Sequence, residues 1–344
     1  MTTDGIHAHP ALTTELSELR KQHEALAARV SKLEAPTTPT PAPAGYSAVW
    51  PVLDTPRPPF THNFSDLASL RDVARNGGYR ITLPGLVRNS GDPLEVGPDT
   101  IITSEAGCTW TGQGIYVVNE RVILDNITLP TVPTDKSDAD GIRVFGSKAT
   151  NVMLRRLTIP DAGDECVDIW DGSPDASNPK RVVVERCNLG GAALRTDNRP
   201  WSLIAGGVGS IMLGLYGNVL SGGFRNPFIN GNVQVYESLN WKPRWGIQAG
   251  GYVNGARAYI ERNYYGFTGY HWARAHEPNN TGSNDQSAAI RLGSGNVYMR
   301  TPPRTLEWNS GLVAAPSHDQ VYRRDVADVG AAMIPENAGA GTPR

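Results

Sequence analysis

Four aspartates stand in two pairs whose spacing could create a cation site. Asp138 and Asp140 lie in the segment SDADGIRV, and Asp164 and Asp168 lie in GDECVDI, 26 and 28 residues further along the chain. Clustered carboxylates repel each other unless a cation lies between them, and such hard oxygen ligands suit Ca²⁺ better than Zn²⁺. Acidic turn residues are also common on any soluble surface, so the pattern gains chemical meaning only if the fold brings both pairs together.

The aspartates belong to a repeat that begins near residue 100. Most units contain a short apolar strand, a polar or glycine turn and a second alternating strand, and their starts lie roughly 20–35 residues apart. The units span residues 114–130, 141–160, 166–191, 201–223, 228–241, 245–266 and 287–300. Several contain an asparagine corner after the second strand, at Asn126, Asn188, Asn218, Asn240 and Asn263.

This repeat predicts an all-β fold, a right-handed parallel β-helix, over residues 47–300. Strands this short cannot bury a face alone, but stacked coils bury a continuous apolar interior and place like residues above one another. The recurrent asparagines favour this fold over a β-sandwich, which also has short strands and regular turns. A separation of about one coil would bring the two aspartate pairs together on one lateral face. Residues 301–344 lose the repeat and predict an irregular cap or tail.

Residues 1–34 carry a different pattern, a heptad seam. Apolar residues recur from Leu12 to Leu33 at alternating spacings of four and three, with His23 inside the seam. This pattern predicts a parallel coiled coil that forms a homo-oligomer, whereas an ordinary amphipathic surface helix would have a wider apolar stripe. The seam residues do not distinguish a dimer from a trimer. We interpret His23 as a packing or register residue rather than a metal ligand.

Two further segments connect the seam to the repeat. Residues 35–46 begin with APTTPTPAPA, a proline-rich composition that is typical of an extended linker. Residues 65–76 predict a helix, with Ser65 as N-cap and Gly77 at its end.

Composition excludes several functional classes. Lysine and arginine number 32 against 34 acidic residues in a chain of 344, which gives no general attraction to nucleic acid or anionic membranes. No apolar run approaches the ~18 residues that span a bilayer, so we expect no membrane insertion. Three cysteines are too few for a disulfide scaffold. The first ten residues, MTTDGIHAHP, lack the features of a secretory signal, so the sequence predicts that any export uses another route.

The order of motifs resembles polysaccharide lyase family 1, the pectate lyases. The segments that carry the resemblance are DADGIRV, DECVDIWDGS, FRNPFINGNVQVYESLNW and GARAYIERNYYG, within residues 100–270. In that family a D-x-D precedes one strand and a D-x-x-x-D enters the next coil, and both coordinate Ca²⁺. An Arg-x-Pro element follows. The resemblance implies a β-helix that cleaves acidic polysaccharide by Ca²⁺-dependent β-elimination.

Carried over by position, the resemblance assigns roles to individual residues. The Ca²⁺ ligands would be Asp138, Asp140, Asp164 and Asp168. Arg225, in FRNP, would be the base that takes the C5 proton of a uronate, although its type and position also fit an ordinary surface arginine.

The chain departs from the family pattern at the substrate-binding positions. The second arginine of Arg-x-Pro-x-x-Arg is Asn230 here, and Trp201 stands where the family has a lysine. Arg195 or Arg199 could replace that lysine. We therefore assign substrate binding to Asn230, Arg199 and Trp201.

The seam, the linker and the lyase-like repeat together resemble the architecture of a bacteriophage tail spike or minor tail protein. Such proteins are commonly trimers, act in the virion beside other tail proteins and bind or cut host-surface polysaccharide. Two alternatives remain: a non-catalytic tail adhesin with a vestigial lyase fold, and a secreted, extracellular pectate lyase.

Overall fold

The computed structural model describes residues 51–130, 139–171, 179–190, 201–222, 226–242, 246–249, 256–265, 277–278, 289–293 and 296–298. The chain divides into two units, 1–41 and 42–344, and every described residue lies in the second. The predicted coiled coil over 1–34, the predicted linker over 35–46 and the predicted cap over 301–344 lie outside the described residues.

The described residues form one helix, α1 (Leu67–Asn76), and 23 strands. The strands are β1 (Phe60–Asn63), β2 (Tyr79–Thr82), β3 (Leu86–Asn89), β4 (Leu94–Val96), β5 (Thr100–Gly112), β6 (Ile115–Val117), β7 (Val122–Thr128), β8 (Ile142–Phe145), β9 (Val152–Arg155), β10 (Thr158–Ile159), β11 (Glu165–Asp171), β12 (Lys180–Glu185), β13 (Asn188–Leu189), β14 (Trp201–Tyr216), β15 (Val219–Leu220), β16 (Phe228–Ser238), β17 (Trp241–Lys242), β18 (Gln248–Ala249), β19 (Arg257–Glu261), β20 (Tyr264–Tyr265), β21 (Glu277–Pro278), β22 (Ala289–Leu292) and β23 (Val297–Tyr298).

The strands pair in three parallel ladders that follow the order of the coils. The first ladder is β1-β2-β5-β7-β9-β12-β14-β16-β19-β22, and the second is β3-β5-β7-β10-β13-β15-β17-β20-β23. The third is β4-β6-β8-β11-β14-β16-β18-β21, and the long strands β5, β7, β14 and β16 each take part in two ladders. Every described pairing is parallel, which confirms the predicted parallel β-helix and excludes the antiparallel sandwich.

Stacked apolar residues fill the interior of the coils. One column of the first ladder runs through Ile102, Leu124, Leu154, Val184 and Leu215, which are register partners and fully buried. Alternate residues of a strand point to opposite faces, so the intervening positions face away from this interior. One intervening column is polar and contains Thr103, Asp125, Arg155 and Glu185. The predicted ladder of like residues is therefore present in the core.

Asparagines also stack at one corner, between the first and second ladders. Asn218, Asn240, Asn263 and Asn296 each accept, through the side-chain oxygen, the backbone N–H of the corner residue one coil earlier. These bonds satisfy N–H groups that the bend removes from the strand ladder.

The corner position was predicted wrongly for two of the five asparagines, and one asparagine of the corner ladder was missed. Asn126 lies one position earlier, where the backbone φ is 63°, and Asn188 lies one position later, inside β13. Cys187 holds the corner in that coil, and its sulfur accepts the N–H of Leu157 at 3.4 Å. Asn296, which accepts the N–H of Asn263, is the member that was not singled out from the sequence.

Helix α1 adds its apolar face to this core, where Leu70 and Ala74 are fully buried. Its N-cap is Asp66 rather than the predicted Ser65, because the Asp66 carboxylate accepts the N–H of Ser69 at 2.8 Å. Gly77 ends the helix with a φ of 74°, a value that favours glycine. No helix in the described ranges has the length and apolar character needed to cross a membrane.

Candidate acidic site on the third ladder

Three carboxylates meet where two neighbouring coils enter the third ladder. Asp140 lies just before β8, and Asp164 and Glu165 lie at the entrance to β11, which pairs with β8. One oxygen from each of the three side chains lies within 4.8 Å of the others. The backbone N–H of Glu165 also donates to Asp140 Oδ1 at 3.2 Å. The fold therefore brings together residues that are about one coil apart in sequence.

Asp168 lies further along β11, opposite Arg143 of β8. The Nε of Arg143 is 2.9 Å from Asp168 Oδ2 and 3.8 Å from Asp140 Oδ2, so one guanidinium approaches both carboxylates. The same guanidinium lies 6.0 Å from the ring centre of Tyr116 and 5.0 Å from that of Phe145. Arg143 is thus a cation built into the edge of the acidic cluster.

Burial makes these carboxylates hard to ionise. It raises the pKa of Asp140 to about 7, and the negative charge of Asp168 adds to the rise. Burial also raises the pKa of Asp168 to about 6, although Arg143 opposes this effect. Burial alone would lower the pKa of Arg143, but the charges of Asp168 and Asp140 outweigh it and raise that pKa. Because the cluster contains one arginine and several carboxylates, it retains an excess of negative charge when the carboxylates are ionised.

The donor set fits a hard divalent cation such as Ca²⁺. All the donors are carboxylate oxygens, and a further one, Asp168 Oδ1, is buried without a hydrogen-bond partner among the described residues. Such an oxygen is costly to bury unless something cationic or protic neutralises it. Asp140, Asp164 and Glu165 are the residues that would hold the ion, with Asp168 beside them.

The structure places some of the other predicted site residues. Asn230 lies in β16 opposite Gly206, and its side chain is 2% exposed. The backbone of Trp201 opens β14 opposite Glu165, which brings this position next to the acidic cluster. Asp138, Arg199 and Arg225 lie outside the described residues. The structure therefore brings Asp140, Asp164 and Trp201 together and places Asn230 further along the same ladder.

Three side chains of the site were not singled out from the sequence. Glu165 follows Asp164 directly, and Arg143 lies three residues after Asp140, so both were visible in the aspartate motifs. Trp170 lies on the Asp168 side of β11, and its ring covers Gly206 so closely that a Cβ there would lie 2.7 Å from it. Only strand pairing shows that this partly exposed ring stands beside the acidic residues.

Comparisons with solved structures place the fold among the pectate lyases. A pectate lyase bound to hexasaccharide matches with a TM-score of 0.55 and 14% identity, over 82% of this chain and 92% of the other. A mutant of the Bacillus subtilis pectate lyase matches with a TM-score of 0.54 and 13% identity, over 83% and 92%. A Bacillus pectate lyase in complex with trigalacturonate matches with a TM-score of 0.51 and 13% identity, over 88% and 99%.

Neither a protein-family model nor a curated protein sequence matches this chain. At this level of identity the structural likeness concerns the fold alone.

Proposed function

We propose that this chain binds an acidic polysaccharide along the outer face of the third ladder and cleaves it by β-elimination. The observation that carries the proposal is the cluster of Asp140, Asp164 and Glu165 on adjacent coils, in which Asp140 and Glu165 are buried. The cluster belongs to a fold shared with lyases whose structures hold a hexasaccharide and trigalacturonate. The substrate class is a uronate polymer. A cation held by the acidic cluster would bind the sugar carboxylates, which this face would otherwise repel.

The residues divide the chemistry between them. The carboxylates of the cluster would hold Ca²⁺, together with Asp138 by resemblance, and the ion would bind the sugar carboxylate and acidify the neighbouring C5 proton. Arg225, assigned by resemblance, takes that proton, and the C4 glycosidic oxygen leaves. An arginine acts as a base only where nearby positive charge and exclusion of water lower its pKa. Asn230, Arg199 and Trp201 are assigned to substrate binding from the sequence, and the partly exposed ring of Trp170 would stack on a sugar face.

We further propose a setting for this activity, the tail spike or a minor tail protein of a bacteriophage. Residues 1–34 would assemble a homo-oligomer, a trimer in this setting, and residues 35–46 would tether the β-helix to other tail proteins. The heptad seam and the proline-rich composition of these segments support the proposal. The location would then be the virion; a secreted, extracellular lyase is the alternative.

A non-catalytic adhesin is the second candidate, and two observations favour it. Arg143 already pairs with Oδ2 of Asp168, which leaves only Oδ1 of this predicted Ca²⁺ ligand for an ion. The position of the family's second substrate-binding arginine carries Asn230, which is buried. A protein with these features could bind acidic sugars through the cation site and the aromatic side chains without cleaving them.

An ultraviolet assay for the unsaturated uronate product separates the two candidates. The full-length chain is mixed with pectate, alginate and other acidic polymers, with Ca²⁺ or with a chelator. A lyase produces absorbance only with Ca²⁺. Arg225→Lys should then retain fold and glycan binding but lose turnover by about 10²–10⁴-fold, the usual effect of removing a general base.

The outcomes of this assay are distinct. Binding to an acidic polymer without product in the wild type supports the adhesin. Turnover that survives Arg225→Lys unchanged would place any active site elsewhere on the β-helix and would contradict the assignment of the base.

A further inference from the structure

Three polar residues lie inside the core of the late coils, away from the acidic site. Glu237 of β16 occupies the apolar column of the first ladder, between its register partners Leu215 and Ile260. Lys242 of β17 is a register partner of Tyr265, and Asn263 belongs to the asparagine corner. All three side chains are 0% exposed. Lysine and glutamate are almost never fully buried unless paired, so this group requires an explanation.

The three side chains meet at one carboxylate oxygen. Lys242 Nζ forms an ion pair with Glu237 Oε2, and Asn263 Nδ2 donates to that same oxygen at 2.9 Å. Since each nitrogen is at hydrogen-bonding distance from one atom, the two nitrogens lie within about 5.5 Å of each other. The other carboxylate oxygen, Glu237 Oε1, is buried and has no hydrogen-bond partner in the part of the chain that the structure describes.

The carboxamide of Asn263 is polarised at its carbonyl end. Its Oδ1 accepts the backbone N–H of Asn240 at 2.9 Å and approaches Asn240 Nδ2 at 3.4 Å. Two donors aimed at one carbonyl oxygen stabilise the negative charge that develops when a nucleophile attacks the carbon. The corner asparagine ladder thus provides the equivalent of an oxyanion hole inside the protein.

Burial also shifts the protonation of the pair toward the reactive forms. It lowers the pKa of Lys242 and raises the pKa of Glu237, while the attraction between the two charges opposes both effects. A proton transfer from the ammonium to the carboxylate would give a neutral amine, which is a nucleophile, and a carboxylic acid, which is a proton donor. The aromatic ring of Tyr265, 5.8 Å from Lys242 Nζ, borders the group.

We propose that Lys242 and Asn263 join in an intramolecular isopeptide bond and that Glu237 catalyses its formation. The Lys242 ammonium gives one proton to Glu237, and the free amine attacks Cγ of Asn263. A second proton passes from the attacking nitrogen to Nδ2 through Glu237, the Cγ–Nδ2 bond breaks and ammonia leaves. The products are one secondary amide, one neutral Glu237 carboxyl group and one ammonia, so no oxidant or co-reactant is needed. Holding both nitrogens on one carboxylate oxygen replaces an intermolecular encounter, which favours a reaction that is slow in solution.

The bond would fasten one coil covalently to the next. Lys242 lies in β17, and Asn263 directly precedes β20, the strand that pairs with β17 in the following coil. The cross-link would prevent these two coils from separating even when their backbone hydrogen bonds open. The inference does not depend on the proposed polysaccharide activity, because none of the three residues lies in the acidic site.

Mass spectrometry of the purified full-length chain tests the inference directly. We expect an intact mass lower than that of the sequence by one ammonia, about 17 Da. After trypsin digestion, peptide 226–244 should appear joined to peptide 263–274, with fragment ions that place the bond between Lys242 and Asn263. This peptide map decides the question in the wild type, without any variant.

Two variants identify the catalyst. Glu237→Gln keeps the side-chain shape but cannot accept the proton, so it should show the full mass of its own sequence and no joined peptide. Lys180→Met is the matched control, because it removes another buried lysine, one that donates to the carbonyls of Gly146 and Ala149, and it should retain the mass loss. Wild-type protein with the full sequence mass, or a loss of ammonia mapped to Asn263 without a joined peptide, would overturn the inference.

Discussion

The two oxygens of Asp168 have different surroundings, and this difference bears on how the acidic site is charged. Oδ2 pairs with Arg143, whereas Oδ1 is buried with no hydrogen bond to any described residue. Arg143 and a bound Ca²⁺ would therefore share this carboxylate rather than exclude each other. The arginine compensates part of the negative charge before any cation binds, which reduces the repulsion among Asp140, Asp164 and Glu165.

Removing one charge from the site should remove its response to Ca²⁺. Saturating Ca²⁺ should raise the thermal stability of the wild type, because a ligand at 100 times its Kd adds about 2.7 kcal/mol to the free energy of unfolding. Asp168→Asn and Asp140→Asn should lose most of this rise in a calorimetric scan. Asp92→Asn, which changes an exposed acid elsewhere, should keep it. Equal Ca²⁺ responses in all four proteins would mean that the ion binds elsewhere.

Lys180 predicts a pH dependence of stability in the alkaline range. Burial lowers its pKa to about 8, although the charges of Asp171 and Asp168 oppose the shift. Between pH 8 and its ordinary pKa of 10.5, the unfolded chain holds a proton that the folded chain has released. The unfolded state therefore binds more protons, and the stability contributed by this residue rises with pH.

The test compares the wild type with Lys180→Met by chemical denaturation at several pH values. Relative to the variant, the wild type should gain roughly 3 kcal/mol in the free energy of unfolding from pH 8 to 10.5. If the difference in the free energy of unfolding between the two proteins does not change with pH, the pKa of Lys180 is the same in the folded and unfolded states.

The corner asparagines form hydrogen bonds to backbone groups at the bend, where the strand ladder is interrupted. Asn218 accepts the N–H of Cys187 at 2.8 Å and donates to the carbonyl of Val184 at 2.9 Å, and both distances join neighbouring coils. At the described corners the preceding residue takes a positive φ, as at Gly217 and Leu239, so the chain turns sharply there. Side-chain amides then connect backbone groups that would otherwise remain buried and unpaired.

Replacing one corner asparagine by alanine should show how much these hydrogen bonds contribute to stability. Asn218→Ala leaves the Cys187 N–H and the Val184 carbonyl without their partner, and each such buried group costs about 1–3 kcal/mol. We expect a loss of roughly 3 kcal/mol in the free energy of unfolding, measured by urea denaturation. Asn188→Ala is the matched control, since Asn188 lies one residue past the corner and is only half-buried. Equal losses in the two variants would mean that the corner bonds have no special weight.

We expect the N-terminal heptad seam to control the assembly of the whole molecule. The seam over residues 12–34 is the segment with a sequence pattern for association, and the described β-helix buries a large cluster of apolar residues in its own core. Deleting residues 12–34 should therefore convert a homo-oligomer into a folded monomer, because the a and d contacts are removed while the coils are retained. Sedimentation equilibrium gives the mass, and circular dichroism confirms the β-structure. A truncated chain that stays oligomeric would show that the coils themselves assemble.

Much of the fold could be predicted because a solenoid is built from local repeats. Each unit contains the apolar alternation that its own strands need, so the parallel stacking is visible in units such as 141–160 and 166–191. The number of strands was wrong, because each of these two units forms three strands rather than the predicted two. The corner asparagines were predicted only in part. Asn126 and Asn188 stand one residue from the corner, and a shift of one residue changes which group a side chain can reach.

The class of fold and the expected approach of the aspartates of neighbouring coils both follow from the sequence, because both depend on the length of one coil. Tertiary structure decided which further residues join them. Glu165 enters the cluster because β11 lies beside β8, and Arg143 reaches Asp168 because the two are register partners. The same holds for Glu237 in β16, Lys242 in β17 and Asn263 at the corner before β20. Their contact depends on the coils stacking in one register, a long-range property that no local pattern of residues encodes.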